Sequence, residues 1–567
     1  MNINQELAKI FNSMANYLEM EDSSFRSKAY RKVAEVLETL QESVEDIEDL
    51  ENIPGVGKHI AEKIEEYLKT GFIRDYEKLK KETPIKLEEI IAVEGMGVKK
   101  AKVLYDKLKI KNLKDLEKAA KKNKIAKLEG FGEKTEKNIL EGIAFLERSS
   151  GRFLLGKITP VVEDILDKLS SLKEVEKIST AGSFRRRKET IGDVDILVVS
   201  KKPEKVMASF VSLPDVVKVW GHGTTKSSVR IKEGIDIDLR VVSAKSYGSA
   251  LQYFTGSKEH NIITRRIAIS KGLKLNEYGV FRGAKMIAGK TEKEVYRAIG
   301  LDWVSPELRE SELDLKKLPK VIELKDIRGD LHCHSNWNGG KNSIETIAKK
   351  AIKMGYEYIG ISDHTQFLAI EHGLNEKQLL KQKKEIDKLN KKLKIRILWG
   401  CEANILTDGS IDISDKVLEQ MDYVIAGVHS ALKIDKEKMT QRIIRAMENP
   451  NVDIIAHPSG RILQYRDEYH FDFNKILETA KKTGTILEIN SSPTRLDLKD
   501  SNIRKAKKAG VKMVIGTDAH QISQLDLMSF GVSQARRGWA EKEDIINTQP
   551  LSKLLKYFKK EKVTESL

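Results

Sequence analysis

Only two cysteines, Cys333 and Cys401, occur in 567 residues, so no disulfide framework is expected and a reducing compartment is. Long apolar runs are missing too: none approaches the roughly 18–20 residues that cross a bilayer. The opening MNINQELAKIFNSMANYLEM reads as a mixed amphipathic helix, without the basic start and apolar centre of a secretory leader. These absences argue against a secreted or membrane protein, and a soluble, cytoplasmic chain is expected. Positive charge, by contrast, is plentiful. Lys and Arg total 101 against 85 Asp and Glu, a net charge of +16 with a pI near 9.2. That excess points to a polyanionic partner, although many lysines simply line solvated helix faces. The length exceeds the roughly 250–300 residues at which single cores stop growing, so several domains are expected.

One stretch stands out. Residues 182–200 read GSFRRRKETIGDVDILVVS. From Asp193 to Val199 the pattern is that of a buried strand, on which Asp193 and Asp195 share a face. Carboxylates that close repel unless a cation lies between them, and the hard ions Mg2+ or Mn2+ fit oxygen ligands and substrate phosphates. Upstream, Gly182 and Ser183 suit a close backbone approach to phosphate, and Arg185 and Arg186 can fork onto its oxygens. A second acidic strand, GIDIDLRVV, puts Asp236 and Asp238 on one face, and either could complete a three-carboxylate, two-metal site. A phosphate grip beside a metal pair is the chemistry of nucleotidyl transfer.

The first 150 residues are helical by pattern and repeat one local motif. IPGVG, VEGMG and LEGFG place glycine pairs at Gly55/Gly57, Gly95/Gly97 and Gly130/Gly132, each followed by a lysine-bearing helix. Such glycines permit a tight turn, from which backbone N–H groups at the next helix start can grip a phosphate. That contact positions a duplex without reading its sequence. Lys63 follows the first turn, near Lys58, Lys28, Arg31 and Lys32. Crowded cations favour a neutral amine, which makes Lys63 a candidate Schiff-base nucleophile; a plain phosphate contact is the alternative.

With the YFTGS motif at 253–257, and Asn261 and Arg265 on the helix after it, residues 1 to about 300 resemble a family X DNA polymerase, the group that includes DNA polymerase beta. GSFRRRKETIGDVDIL matches that family's G-S-x-R-R…G-D-x-D signature at every position. The resemblance implies Asp193, Asp195 and Asp238 as metal ligands, with Asp236 a neighbour. It implies that Gly182, Ser183, Arg186 and Gly192 serve the incoming triphosphate. Tyr253, Phe254 and Gly256 would border its sugar, and Asn261 and Arg265 the nascent base pair and template. Lys63 falls on the family's 5′-deoxyribose-phosphate lyase lysine, but neighbouring pocket positions hold Arg26 and His59 where the vertebrate enzyme has lysines.

Eight of the eleven histidines lie after residue 330, and the spacing is regular. Successive apolar runs end in His332 and His334, Asp363 and His364, Glu402, His429, His457, Glu488 and Asn490, and Asp518 and His520. Helical, charge-rich segments separate them. Functional residues at strand ends in repeated strand–helix units predict a (β/α) barrel of about seven strands. Mixed His and carboxylate ligands suit Zn2+, Mn2+ or Fe2+, and such a cluster, activating water and clamping phosphate, would hydrolyse phosphoesters. Cys333 and Cys401 sit beside candidate ligands, but alternation turns them to the packing face. This half resembles the PHP (polymerase and histidinol phosphatase) domain. The resemblance implies a site of up to three ions, Mn2+ or Zn2+, on His332, His334, His364, Glu402, His429, His457, Asp518 and His520. It also implies 3′–5′ exonuclease, 3′-end phosphatase or abasic-site cleavage. One position departs: in His334-Ser335-Asn336-Trp337-Asn338-Gly339-Gly340, Gly339 stands where the family has an aspartate ligand.

The expected architecture is therefore multidomain: an all-α helix-hairpin-helix region, an α+β nucleotidyltransferase palm and thumb, and a C-terminal α/β distorted (β/α)7 barrel. Boundaries are expected at 1–82 (lyase-like hairpin domain), 83–150 (fingers-type hairpin domain), 151–243 (palm), 244–305 (thumb), 306–327 (linker) and 328–567 (PHP domain). The expected function is filling of short gaps in DNA repair, coupled to 3′-end trimming. Gapped or primed DNA and dNTPs are the expected partners, no membrane is, and a monomer is the default. Two alternatives remain: a barrel kept only for DNA binding or stability, and a template-independent transferase, which the hairpin turns and YFTGS disfavour.

Overall fold

The computed structural model describes residues 3–21, 24–40, 43–83, 85–93, 96–149, 151–310, 315, 317–366 and 373–559. Contacts divide it into two compact units, one formed mainly by the first 150 residues and the other by nearly all that follows. Among the described residues no helix is long and apolar enough to cross a membrane.

The first unit is helical throughout. Helices Ile3–Met20 and Ser24–Thr39 pack against each other around Leu7, Phe11, Leu18, Val33 and Leu37, all fully buried. Lys58–Thr70, Val98–Leu108 and Glu133–Ser149 are the helices that follow the three glycine turns. Their entries repeat. The N–H groups of Val56, Met96 and Phe131 each donate to the carbonyl three residues back, at 2.9, 3.0 and 3.0 Å. Those three side chains are buried, so each turn is pinned to the core by one apolar residue between its glycines.

In the second unit, residues 151–310 build a five-stranded sheet and a helical lobe. The sheet order is Val175–Thr180, Asp193–Ser200, Asp236–Val242, Lys226–Ile231 and Val216–His222. Only the pairing of Asp193–Ser200 with Asp236–Val242 is parallel, and its register sets Asp193 opposite Asp236 and Asp195 opposite Asp238. Val194, Ile196 and Val198 alternate with the acids and fill the core beneath helices Leu155–Ser170 and Pro203–Val211. Helices Tyr247–Thr255, Lys258–Ser270 and Glu292–Ala298 form the lobe beside the sheet. Arg309 extends this lobe past residue 305, with none of its surface exposed.

Residues 328–559 form the barrel. Its parallel strands run in chain order: Gly329–Asp330, Tyr358–Ile361, the interrupted run Arg396–Trp399 and Glu402–Asn404, Ile425–Gly427, Ile454–Ile455, Ile486–Asn490 and Met513–Gly516. Counting the interrupted run once gives the seven strands that the sequence pattern predicts. A parallel bridge between Cys333 and Ala519 joins last to first, with the His334 N–H donating to the Ala519 carbonyl at 2.8 Å. Strands buried on both faces read as continuous apolar runs, as here. Outside, helices such as Ile344–Lys353 and Phe473–Thr483 cover a core that includes both cysteines. Inside, one end is plugged by Tyr358, Tyr423, Ile546, Leu554 and Phe558. Polar side chains are left the other end, where the strands finish.

Glu292 ties the lobe together. It is 7% exposed and accepts hydrogen bonds from Arg185 (2.8 and 2.7 Å), Arg309 (2.7 Å) and Trp303 (3.2 Å). Burial alone would raise its pKa, but the two guanidiniums outweigh burial and hold it at about 2, below the ordinary 4.5. A lowered folded pKa adds stability that is present above pH 4.5 and lost as pH falls through 2. Glu292→Gln should therefore cost about 3–5 kcal/mol at neutral pH, because two buried cations lose their partner. Urea titrations from pH 7 to 2 should show the gap to the wild type closing only below pH 4.5.

Candidate functional site

Two clusters of acids and bases form in the second unit. The palm cluster follows from register: two parallel strands with acids at alternate positions put Asp193, Asp195, Asp236 and Asp238 on one face. Their neighbours separate their roles. Asp236 is spoken for, held by Arg230 (2.8 and 2.9 Å) and by the indole N–H of Trp220 (2.9 Å). Asp238 lies opposite Asp195 in the parallel register, with the Lys226 ammonium 3.0 Å away. Burial, then Asp193, then Asp238 push the Asp195 carboxyl up to about 6. A buried carboxyl raised by two neighbouring carboxylates is one of a set prepared for a cation. Of the two candidates for the third carboxylate, Asp238 is the one that acts on Asp195.

Gly182 has no substitute. Its φ is +60°, and a Cβ there would lie 2.4 Å from Asp195 Oδ2, so the turn at 182–185 and the acidic face touch only because this residue is glycine. Residues 182–185 form one helical turn, with Ser183 at its start and Gly192 just ahead of Asp193. Arg186 lies behind that turn, donating to the Thr255 carbonyl, with Glu310 3.6 Å away. The expectation that Arg185 also grips phosphate is corrected: its guanidinium is committed to Glu292 and Thr255. Tyr253 and Phe254 meet edge to face at 5.0 Å, with Arg265 over the first ring and Arg240 over the second. Gly256 caps their helix with φ +68°. Asn261 is fixed by Gln252 and by the Tyr253 carbonyl. Sequence reasoning missed Arg240. It lies two residues past Asp238 on the same strand face, which is the signal that would have found it.

The barrel cluster centres on Glu402, fully buried at the open end. One of its oxygens lies 3.2 Å from His332 Nε2, 3.5 Å from His334 Nε2 and 3.0 Å from His364 Nδ1. The other lies 3.0 Å from both His429 Nε2 and His457 Nε2. Asp518 adds an oxygen 3.5 Å from His332 and 3.3 Å from His334, and His520 stacks on His334 at 4.2 Å. All eight barrel residues expected from the sequence converge here.

Neighbouring groups orient the rings. His332 Nδ1 meets Glu488 Oε1 at 2.5 Å, and His429 Nδ1 meets Asn404 Oδ1 at 2.7 Å. A carboxylate only accepts, and the Asn404 amide N–H is spent on Asp412, so in both rings Nδ1 carries the proton. Their Nε2 atoms face the Glu402 carboxylate; burial opposes a charge on His332, but Glu488, Glu402 and Asp518 outweigh it and raise the ring well above the ordinary histidine value, so a proton or a cation must lie between Nε2 and Glu402. Burial raises the Glu402 carboxyl, but His364, His332 and His429 outweigh it and hold it well below the usual range. Burial, with His364 and His520, pushes His334 well below the ordinary histidine value, leaving a neutral ring with a free lone pair. Buried His332 Nε2, His334 Nε2, His364 Nδ1 and Glu402 Oε2 have no hydrogen-bond partner. Ring nitrogens and carboxylate oxygens converging on one buried point are a donor set that fits divalent cations. Among the described residues three overlapping sets qualify: His334, His364 and His520; His332, His334, Glu402 and Asp518; and His364, Glu402 and His429.

Gly339 has φ +63° and offers no donor. Asn338 beside it does not stand in with its carbonyl oxygen, which accepts the His364 backbone N–H at 3.0 Å. Sequence reasoning named Glu488 only as a strand end and missed Asn404; the two aim His332 and His429. Asp363, likewise, accepts from Ser335 and Gln382 instead of facing the cluster.

In the first unit Gly57 and Gly97 start their helices with extended backbones and no side-chain cap, as a phosphate-binding turn requires. Gly132 supplies the first helical carbonyl of the third turn, and Gly55 and Gly130 have φ of +87° and +80°. Gly95 lies outside the described residues. Lys63 is paired with Asp75 at 2.5 Å, and Lys63 holds the Asp75 carboxyl below its usual range. The Asp75 carboxylate thus occupies the Lys63 amine.

Comparison with known proteins adds five domain matches in chain order: a helix-hairpin-helix domain (2–73), a SAM-like helix-hairpin-helix tandem (87–144), a DNA polymerase beta palm (157–229), a DNA polymerase beta thumb (250–310) and a PHP domain (330–492). The chain is similar to the DNA polymerase/3'-5' exonuclease PolX of Bacillus subtilis, 37% identical over 98% of this chain and 99% of that one. Its C-terminal part is also similar to a probable phosphatase of Thermoanaerobacter sp. (strain X514), 30% identical over 41% of this chain and 95% of the relative.

If the barrel cluster binds divalent ions, Mn2+ should raise the protein's Tm, since saturation at 100 times Kd adds about 2.7 kcal/mol. Glu402→Gln should abolish that rise. Scanning fluorimetry with and without Mn2+, alongside elemental analysis, reads both effects.

Proposed function

The chain belongs to the family X DNA polymerases that carry a C-terminal PHP domain, and from that premise we propose that it fills short DNA gaps and trims 3′ ends. The single observation that carries this reading is the coexistence of a three-carboxylate palm beside a phosphate turn with a Glu402-centred histidine cluster in one chain. Gapped or primed DNA and dNTPs are the proposed substrates, and base-excision-type repair the setting.

Asp193, Asp195 and Asp238 would hold Mg2+ or Mn2+; when bound, these ions activate the primer hydroxyl and neutralise the departing pyrophosphate. Gly182 and Ser183 present backbone and hydroxyl to the triphosphate, and Arg186 flanks it. Tyr253 and Phe254 close on the sugar, and Asn261 and Arg265 border the base pair. His332, His334, His364, Glu402, His429, His457, Asp518 and His520 would hold up to three Mn2+ or Zn2+ ions, which supply an activated water and a phosphate clamp. Glu488 and Asn404 keep two of those rings aimed. The glycine turns would hold the duplex by its phosphates. The Asp75 pairing speaks against Lys63 as a lyase nucleophile and for a phosphate contact.

The proposed division is 1–82, 83–150, 151–243, 244–305, 306–327 and 328–567, with a monomer in the cytoplasm. A second reading, in which the barrel only binds or stabilises, has one observation in its favour: Gly339 supplies no ligand.

Reciprocal variants test the assignment. Asp195→Ala should abolish filling of a gapped duplex, a loss of about 1,000-fold or more, and leave Mn2+-dependent 3′ degradation intact. His332→Ala should do the reverse. Unchanged degradation in His332→Ala would favour the second reading. Within the palm, Asp238→Asn should stop synthesis, whereas Asp236→Asn should slow it by about tenfold or less.

A further inference from the structure

The palm's phosphate turn is not self-supporting. Between Arg185 and Asp193 the backbone passes through Arg187, whose φ of +54° is strained for a residue with a side chain. Such a conformation persists only where its surroundings fix it. Some of those surroundings belong to the barrel.

Helix Met528–Arg537 of the barrel carries Phe530, Gln534 and Arg537, spaced four and three apart and therefore on one face. Phe530 packs against the palm core. Gln534, buried, donates to the Glu189 carboxylate at 2.7 Å. Arg537, 3% exposed, donates to the Arg186 carbonyl at 3.0 Å, and to Glu310 at 3.3 Å and Asp500 at 2.5 Å. From the loop after His457, Arg461 grips Glu189 with both terminal nitrogens, at 3.2 and 2.5 Å. That pair is enclosed, with side-chain exposures of 8% and 23%. Nearby, a Cβ on palm residue Gly156 would lie 2.2 Å from Pro493 of the barrel, so backbone and loop are in direct contact.

These contacts end at a specific place. They hold Glu189 and the Arg186 carbonyl, inside the segment that runs from the phosphate turn to the first metal ligand. Arg186's own guanidinium is 3.6 Å from Glu310, the carboxylate that Arg537 also reaches. Two barrel arginines thus hold Glu189 and the Arg186 backbone, between the turn at 182–185 and Asp193.

We propose that Arg461, Gln534 and Arg537 are positioning residues for nucleotide incorporation: the barrel holds the palm's phosphate turn in its triphosphate-binding geometry. The inference rests on the polymerase reading and adds to it a role for the barrel that needs none of its metal chemistry.

Full-length Glu189→Gln and Arg537→Gln, and the reversed pair Glu189→Arg with Arg461→Glu, test this. Steady-state gap filling gives KM for dNTP, titration of labelled gapped duplex gives Kd, and fluorimetry gives Tm. Each single variant should raise the dNTP KM about tenfold with the duplex Kd within about twofold, a split that a general loss of folding would not produce. The reversed pair should recover much of the dNTP KM. An unchanged dNTP KM in both single variants would overturn the proposal, as would a reversed pair that restores Tm without restoring KM. A wild type that binds duplex but incorporates no nucleotide would defeat the polymerase reading itself, and this inference with it.

Discussion

A carboxylate buried among five imidazoles is the constraint on which the barrel depends. Glu402 has no exposed surface, and its two oxygens meet His332, His334 and His364 on one side and His429 and His457 on the other. An uncompensated charge in such a place costs several kcal/mol. The rings come from four strand ends, His332 and His334 sharing one, so those strands and that of Glu402 must finish at one level for the charge to be met. Glu488 and Asn404 then decide which nitrogen each of two rings presents.

The palm solves a similar problem with less burial. There the like charges are brought together by a single parallel strand pair, and alternation keeps Val194 and Ile237 in the core beneath the acids. Arg230 removes Asp236 from the set, and Gly182 lets the phosphate turn approach Asp195. One chain thus carries two sites that concentrate negative ligands, one near solvent and one enclosed. A helix of the second abuts the phosphate turn of the first.

Much of this was legible in the sequence because the physics is local. DVDIL and DIDL announce their acidic face by alternation, and apolar runs ending in His or Glu announce strand ends. The glycine turns recur at a spacing that survives without any tertiary information. What was not legible depends on distant partners. Arg185 sits in the same arginine run as Arg186, and only the fold commits it to Glu292, 107 residues away. Glu189 looks like a loop carboxylate until Arg461, 272 residues on, is seen against it. Lys63 gives no sign in the sequence of Asp75, which meets its amine. That Arg230, on the next strand, holds Asp236 was likewise out of reach.

The central claim is that cations, and not protons on the histidines, satisfy Glu402. Crystals grown with Mn2+ and measured at the manganese edge test it directly. The account predicts anomalous peaks within about 2.0–2.3 Å of Glu402 oxygens and histidine nitrogens, on more than one side of the carboxylate. Finding no anomalous density there, with both Glu402 oxygens still in contact with the imidazoles, would contradict it.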